Sequence, residues 1–281
     1  IMRYWLRDSV GTEAMMDYSL HSAGDFDTVT NLWVHTIMVV TPSSITTYDD
    51  GAAVLESEYG FYGGLEPANN AASPSPGQLS PGFRGFQLAT DIFLGGRADQ
   101  DSDRHYRGTL ALVRIYDTGL TAQQAQCVFR EGDDALPEPQ ASRCTDLALD
   151  VRFVGDHLDR SGNDVLITTY YHGQPVDPIV DAATPRNIDE DGAFFSGDQD
   201  YFLVSNVHYA EDAEFTVSFW MSKEQCSRGV YEYMYSHNQD NQADIVDDLD
   251  NSNVNLYLGC EAAGGGWSSS GGTVVRFNLI D

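Results

Sequence analysis

Apolar and polar residues alternate with a period of two along most of this chain, and little of it carries the period of a helix. The clearest run is Gly108 to Glu131, GTLALVRIYDTGLTAQQAQCVFRE. Its first part, TLALVRIYD, is apolar, β-branched and aromatic at alternate positions, which predicts a half-buried strand that Gly119 ends. Thr121 stands where an N-cap belongs and Gln124 completes a capping box, so a short helix follows, with Gly132 as its C′ residue. Upstream, IMRYWLRD, AMMDYSLHS, NLWVHTIMVVT and SITTYDDGAAVL read as strands separated by polar turns. Asp50-Gly51 is a two-residue hairpin signal. Trp33 and His35 fall on one strand face, where His35 reads as a packed, hydrogen-bonded side chain.

Leu65 to Gly85 breaks the rhythm with Pro67, Pro74, Pro76 and Pro81 among Ala, Ser, Asn and Gly, and reads as a surface loop. Asp133 to Arg143 is a linker by composition, held extended by Pro137 and Pro139. Leu147 to Phe153 then reads as a strand, DRSGND as a tight turn, and EFTVSFWMSK as a strand with Phe215, Val217 and Phe219 on one face.

Several of these pieces resemble parts of laminin G-like, concanavalin A-like domains. The segment R-I-Y-D-x-x-L-T-x-x-Q resembles the closing strand and helix of such a sandwich, and W-V-H-T-I-M-V-V followed by I-T-T-Y-D-D-G resembles its Trp-x-His strand leading into a strand that ends in Asp-Gly. Asp159-Arg-Ser-Gly-Asn163, then Ala193-Phe-Phe-Ser-Gly197, then Phe215-Thr-Val-Ser-Phe-Trp220 resemble its opening. The resemblance implies an all-β fold, a laminin G-like jelly-roll β-sandwich of antiparallel sheets with one short helix. Its phase is split: residues 1–132 resemble a C-terminal half, 133–144 a linker, and 145–281 the N-terminal half of a second sandwich. Val254 to Asp281 can also be laid over Ile1 to Ser22, pairing Tyr257 with Tyr4 and Phe277 with Tyr18 around an insertion at Ala262 to Gly272. A half sandwich would expose a sheet face and long strand edges. Three arrangements satisfy both halves: a window on tandem sandwiches, a permuted sandwich closing on itself, or halves completed by neighbouring copies. The window or the neighbour-completed form is the expectation, and either gives a head-to-tail arrangement.

Composition narrows the function. Acidic residues outnumber basic ones 43 to 15, a formal charge of -28, which disfavours nucleic acid and anionic membrane surfaces as partners. Aromatic and glycine content fits an all-β protein, and the longest apolar run, Leu32 to Val40, is far too short to cross a bilayer. The chain opens with Ile1 and reads as a piece of a longer polypeptide. Cys127, Cys144, Cys226 and Cys260 allow three pairings, of which sequence order favours Cys127 with Cys144 and Cys226 with Cys260. Disulfides point to an extracellular or cell-surface location, although no N-x-S/T sequon supports it.

No catalytic constellation stands out. Glu211, Asp212 and Glu214 precede a strand rather than alternate along it, as the carboxylates of jelly-roll glucanases do, so an enzyme is not expected. Asp99, Asp101 and Asp103 begin like an EF-hand, but Arg104 and Leu110 occupy positions that need glycine and a bidentate acid. Calcium is the cofactor expected, if any, at Asp159, Asn163 and Asp164, or at Asp244, Asp247, Asp248 and Asp250, against solvated acidic loops and, for the first set, an Asx-bonded turn. Tyr170, Tyr171, His172 and Trp267 are candidates to stack on glycans. Pro74, Pro76 and Pro81 resemble Ser-Pro sites of hydroxylation and glycosylation. The expected function is a non-catalytic extracellular structural module, the repeating unit of a filament or appendage whose partners are copies of itself or adjacent repeats. The alternative is a calcium-dependent glycan-binding or adhesion module of a larger protein.

Overall fold

A computed structural model describes residues 2–7, 13–18, 33–41, 45–53, 59–60, 91–96, 105–133, 147–153, 157–176, 188–189, 192–207, 214–223, 231–238, 253–260 and 273–280. They form eighteen strands and one helix. The strands before the helix are β1 (Met2–Arg7), β2 (Glu13–Tyr18), β3 (Trp33–Val40), β4 (Ile45–Asp49), β5 (Ala52–Ala53), β6 (Tyr59–Gly60), β7 (Ile92–Leu94) and β8 (Arg107–Tyr116). Helix α1 (Ala122–Asp133) follows. After it come β9 (Leu149–Val151), β10 (Leu166–Tyr171), β11 (Gln174–Val176), β12 (Ile188–Asp189), β13 (Gly192–Ser196), β14 (Tyr201–Ser205), β15 (Phe215–Lys223), β16 (Tyr231–Asn238), β17 (Asn253–Cys260) and β18 (Thr273–Ile280).

The fold is an all-β sandwich of two sheets with a single short helix among the described residues. One sheet runs β11-β10-β14-β7-β16-β17-β18-β1-β2-β6, the other β12-β13-β8-β15-β3-β4-β5, with β9 paired to β8. Between them lies one core, with Ile92, Leu94, Phe202, Val204 and Met234 from the first sheet against Val34, Met38, Val113, Ile115, Phe195, Phe215, Val217 and Phe219 from the second. Phe215, Val217 and Phe219 share one face because a strand alternates, and that face is the inner one. The opposite face of the second sheet is covered by α1, where Ala125 and Val128 meet Ile37, Val39, Tyr48, Tyr116 and Leu120.

Strands of residues 1–132 and of residues 145–281 interleave in both sheets. β15 lies between β3 and β8 over nearly its whole length, and β7 lies between β14 and β16. Without β15 the strands β3 and β8 would be separate edges, so within this chain each segment completes the other. Every pairing between the named strands is antiparallel except one: β18 and β1 run parallel, with Tyr4 opposite Phe277 and Leu6 opposite Leu279. That seam joins hairpin β17–β18 to hairpin β1–β2.

The capping box forms as read. Gln124 N–H donates to Thr121 Oγ1 at 3.3 Å, and Thr121 N–H donates to Gln124 Oε1 at 2.9 Å. The helix runs through Gly132 to Asp133 instead of stopping before the glycine, which a final turn tolerates since its carbonyls are unpaired anyway. Asp50 (φ 47°) and Gly51 (φ 75°) make the expected two-residue turn between β4 and β5. The strict alternation expected of β8 breaks at Leu112, whose φ of 47° inserts a bulge, so the inward face passes from Leu110 to Val113 and Ile115. The loop of 65–85, the acidic residues Asp99, Asp101 and Asp103, and 134–146, most of the expected linker, lie outside the described residues.

Candidate functional site

The acidic turn DRSGND is built from side chains that fold back on the main chain. Asp159 Oδ1 accepts from Ser161 N–H at 2.9 Å and Asp150 N–H at 3.0 Å, and Asp159 Oδ2 accepts from Ser161 Oγ at 2.7 Å. Asn163 Nδ2 donates to Leu147 O at 2.8 Å and Ala148 O at 3.2 Å. These bonds pin the turn to the start of β9, the Asx arrangement its composition allows, while Asp164 is exposed at φ 53°. A second acidic turn, between β13 and β14, repeats the device: Asp200 Oδ2 accepts from Ser196 N–H at 3.2 Å and Ser196 Oγ at 2.5 Å. Its other oxygen is buried and accepts no hydrogen bond among the described residues. No group of three or more His, Cys, Asp or Glu side chains is placed to hold a metal among the described residues, and Asp244, Asp247, Asp248 and Asp250 lie outside them.

The glycan candidates divide. Tyr170 stacks on Tyr201 of β14, ring centroids 4.5 Å apart and the ring planes nearly parallel, on the outer face of the first sheet. Phe93 approaches the same Tyr201 ring at 5.7 Å. Burial, and next to it Tyr170, raise the Tyr201 phenol above its ordinary range. Tyr171 instead packs against His172 at 3.8 Å, and His172 Nδ1 reaches Asp198 at 2.9 Å on an exposed rim. Trp267, Pro74, Pro76, Pro81, Glu211 and Asp212 lie outside the described residues; Glu214 is exposed and accepts from Gly119 N–H at 3.3 Å.

His35 and Trp33 share the face of β3 that turns toward α1, as expected; Trp33 is exposed and His35 buried. The imidazole packs on Trp220 at 5.0 Å and Phe129 at 5.5 Å, and its Nε2 bonds Ser218 Oγ at 2.9 Å. Burial, and then the charge of Arg114, lower its pKa to about 3, so it is neutral and structural at physiological pH. Cys127 is disulfide-bonded; Cys144 and Cys226 lie outside the described residues, and of Cys260 only its strand position is described.

One charged cluster was not found from the sequence. Lys223, the last residue of β15, contacts Glu232 Oε2 of β16, so the pair spans the two sheets. Their side chains are 10 % and 3 % exposed. Lys223 Nζ donates to Arg107 O at 2.6 Å, and Arg107 N–H donates to Glu232 Oε2 at 2.8 Å. Tyr106 closes the site, its ring centroid 5.1 Å from Nζ and its hydroxyl donating to Ser222 O at 2.9 Å. Burial raises the Glu232 carboxyl above its ordinary range, against the lowering effect of Lys223. The signal was available in the composition: Lys223 is the only lysine of the chain, every other cation among the 15 Lys and Arg being an arginine.

Comparison with protein-family models, with curated proteins and with solved structures finds no match to this chain. The described helix is too short and polar to cross a membrane.

Proposed function

We propose that this chain is a non-catalytic extracellular structural module that joins copies of itself, or adjacent repeats, head to tail. The observation that carries this reading is the parallel seam between β18 and β1, the one pairing between named strands that breaks an otherwise antiparallel architecture. The sandwich core is closed by strands interleaved within one chain, so a folded unit does not need a neighbour. The seam is different: it brings together the two outermost hairpins of the chain. If the seam within the chain opens, β18 of one copy can exchange its partner for β1 of the next in the same register, a heterologous contact that propagates instead of closing. The likeness of Val254–Asp281 to Ile1–Ser22 supports equivalent roles for the two hairpins.

The test is the mass of the full chain over a concentration series, by light scattering after size exclusion, with electron microscopy of the concentrated sample. Growth into linear particles supports the reading; a monomer at every concentration removes it. The second reading, glycan binding, rests on Tyr170 alone, half-buried and stacked over the buried Tyr201 on the outer face of the first sheet. Glycan-array binding that Tyr170→Ala abolishes would favour it.

A further inference from the structure

We propose that Lys223 and Glu232 are the two halves of an intramolecular isopeptide bond, a covalent staple between the sheets of the sandwich. The amine and the carboxyl are in contact, on different sheets, and shielded from water by Tyr106 and the β8 main chain. A buried ion pair bears the desolvation of two charges, and an amide between the same atoms carries none. Condensation needs the neutral amine and the neutral acid, the forms that a dry site favours.

The reacting atoms are held by one residue. Arg107 O accepts from Lys223 Nζ and fixes the amine, while Arg107 N–H donates to Glu232 Oε2 and holds in place the oxygen that departs as water. The ammonium first passes a proton to Oε2. The Nζ lone pair then forms a bond to Glu232 Cδ, a second proton moves from Nζ to Oε2, the Cδ–Oε2 bond breaks, and Oε2 leaves as water. Two of the three ammonium protons leave in that water and the third remains as the amide N–H. No oxidant, reductant or other reactant is consumed. Proximity supplies what an external catalyst would otherwise provide, because both groups are positioned by strands rather than loops.

The residue choice agrees with this chemistry. A chain that meets every other need for a cation with arginine places its single lysine here, and an amine can be acylated after losing a proton where a guanidinium stays charged.

The test is a peptide map of the folded, full-length protein after reduction and alkylation. Trypsin cuts after Arg228 and so separates Lys223 from Glu232 in the backbone. The amide predicts that the two peptides stay joined, one water lighter than their sum, with no cleavage after Lys223. In the denatured protein an amine-reactive label would then reach only the terminal amine. Lys223→Arg should restore the mass of its own sequence. Recovery of Lys223 and Glu232 in separate peptides of unaltered mass, or stoichiometric labelling of Lys223, overturns the proposal without needing any variant to fold. Loss of the same water in Lys223→Arg would also overturn it.

Discussion

At the scale of single residues, His35 makes the most direct claim on solution behaviour. Its folded pKa, lowered by burial and then by Arg114 to about 3, lies below the ordinary 6.5 that the unfolded chain retains. The sign follows: the neutral imidazole contributes stability that is complete above pH 6.5 and is lost as pH falls toward 3. Within that window each pH unit removes about 1.4 kcal/mol attributable to this one group. Urea unfolding of the protein and of His35→Gln at pH 7 and at pH 5 reads the effect as a difference of slopes. The wild type should lose more stability than the variant, and parallel losses would mean that the imidazole charges freely in the fold. The packed state of His35 was legible from its place between apolar neighbours on a strand. The pairing of Lys223 with Glu232 was not, because nothing local in MSKEQ or YEYMYS marks which of many carboxylates will meet the lysine across two sheets. The acidic turns sit between these cases. Asp159, Ser161 and Asn163 announce a turn by composition, and the structure gives Asp159 and Asn163 to main-chain bonds.

At the scale of elements, local signals succeeded where the physics is local. The Thr121–Gln124 box and the Asp50-Gly51 turn are set by residues a few positions apart. The bulge at Leu112 is set instead by what faces it, the register of β15 and the carbonyl of Arg152, which takes the Leu112 N–H at 3.3 Å. An alternating pattern in TLALVRIYD therefore identifies the strand but not the bulge that carries its inner face from Leu110 to Val113 and Ile115. Gly51 shows how a turn is tied to a distant element. A Cβ there would stand 2.6 Å from Phe129 Cδ1 of α1, at a φ of +75°. Gly162, at φ +87°, has nothing within 4 Å. Both Gly→Ala variants incur the left-handed penalty, about 1 to 2 kcal/mol. Gly51→Ala adds the displacement of a packed ring, roughly 1 to 3 kcal/mol more. Denaturant titration should therefore rank Gly51→Ala as the more damaging of the two. Equal losses would show that the hairpin and the helix are not packed together.

At the scale of the whole molecule, the all-β class was visible in the alternating pattern of the strands, while the strand order was not. Sheet order depends on which segments meet across more than a hundred residues, as β3 with β15, and no periodicity records that. The charge was legible throughout, and it bears on assembly more than on fold. Two copies that approach through the β18–β1 seam each carry a formal charge of -28. Their mutual repulsion reaches across about 10 Å at 0.1 M salt and shrinks to about 3 Å at 1 M. Head-to-tail association should therefore strengthen as sodium chloride rises, the reverse of an assembly held by exposed ion pairs, which salt weakens. Sedimentation at one protein concentration and increasing salt measures the trend. Calcium supplies a second comparison at matched ionic strength. If carboxylate clusters hold the ion between copies, calcium drives association beyond sodium; if screening alone acts, the two salts give one curve. A mass that falls with salt would place attractive charge at the junction and remove strand pairing at the seam as its principal cause.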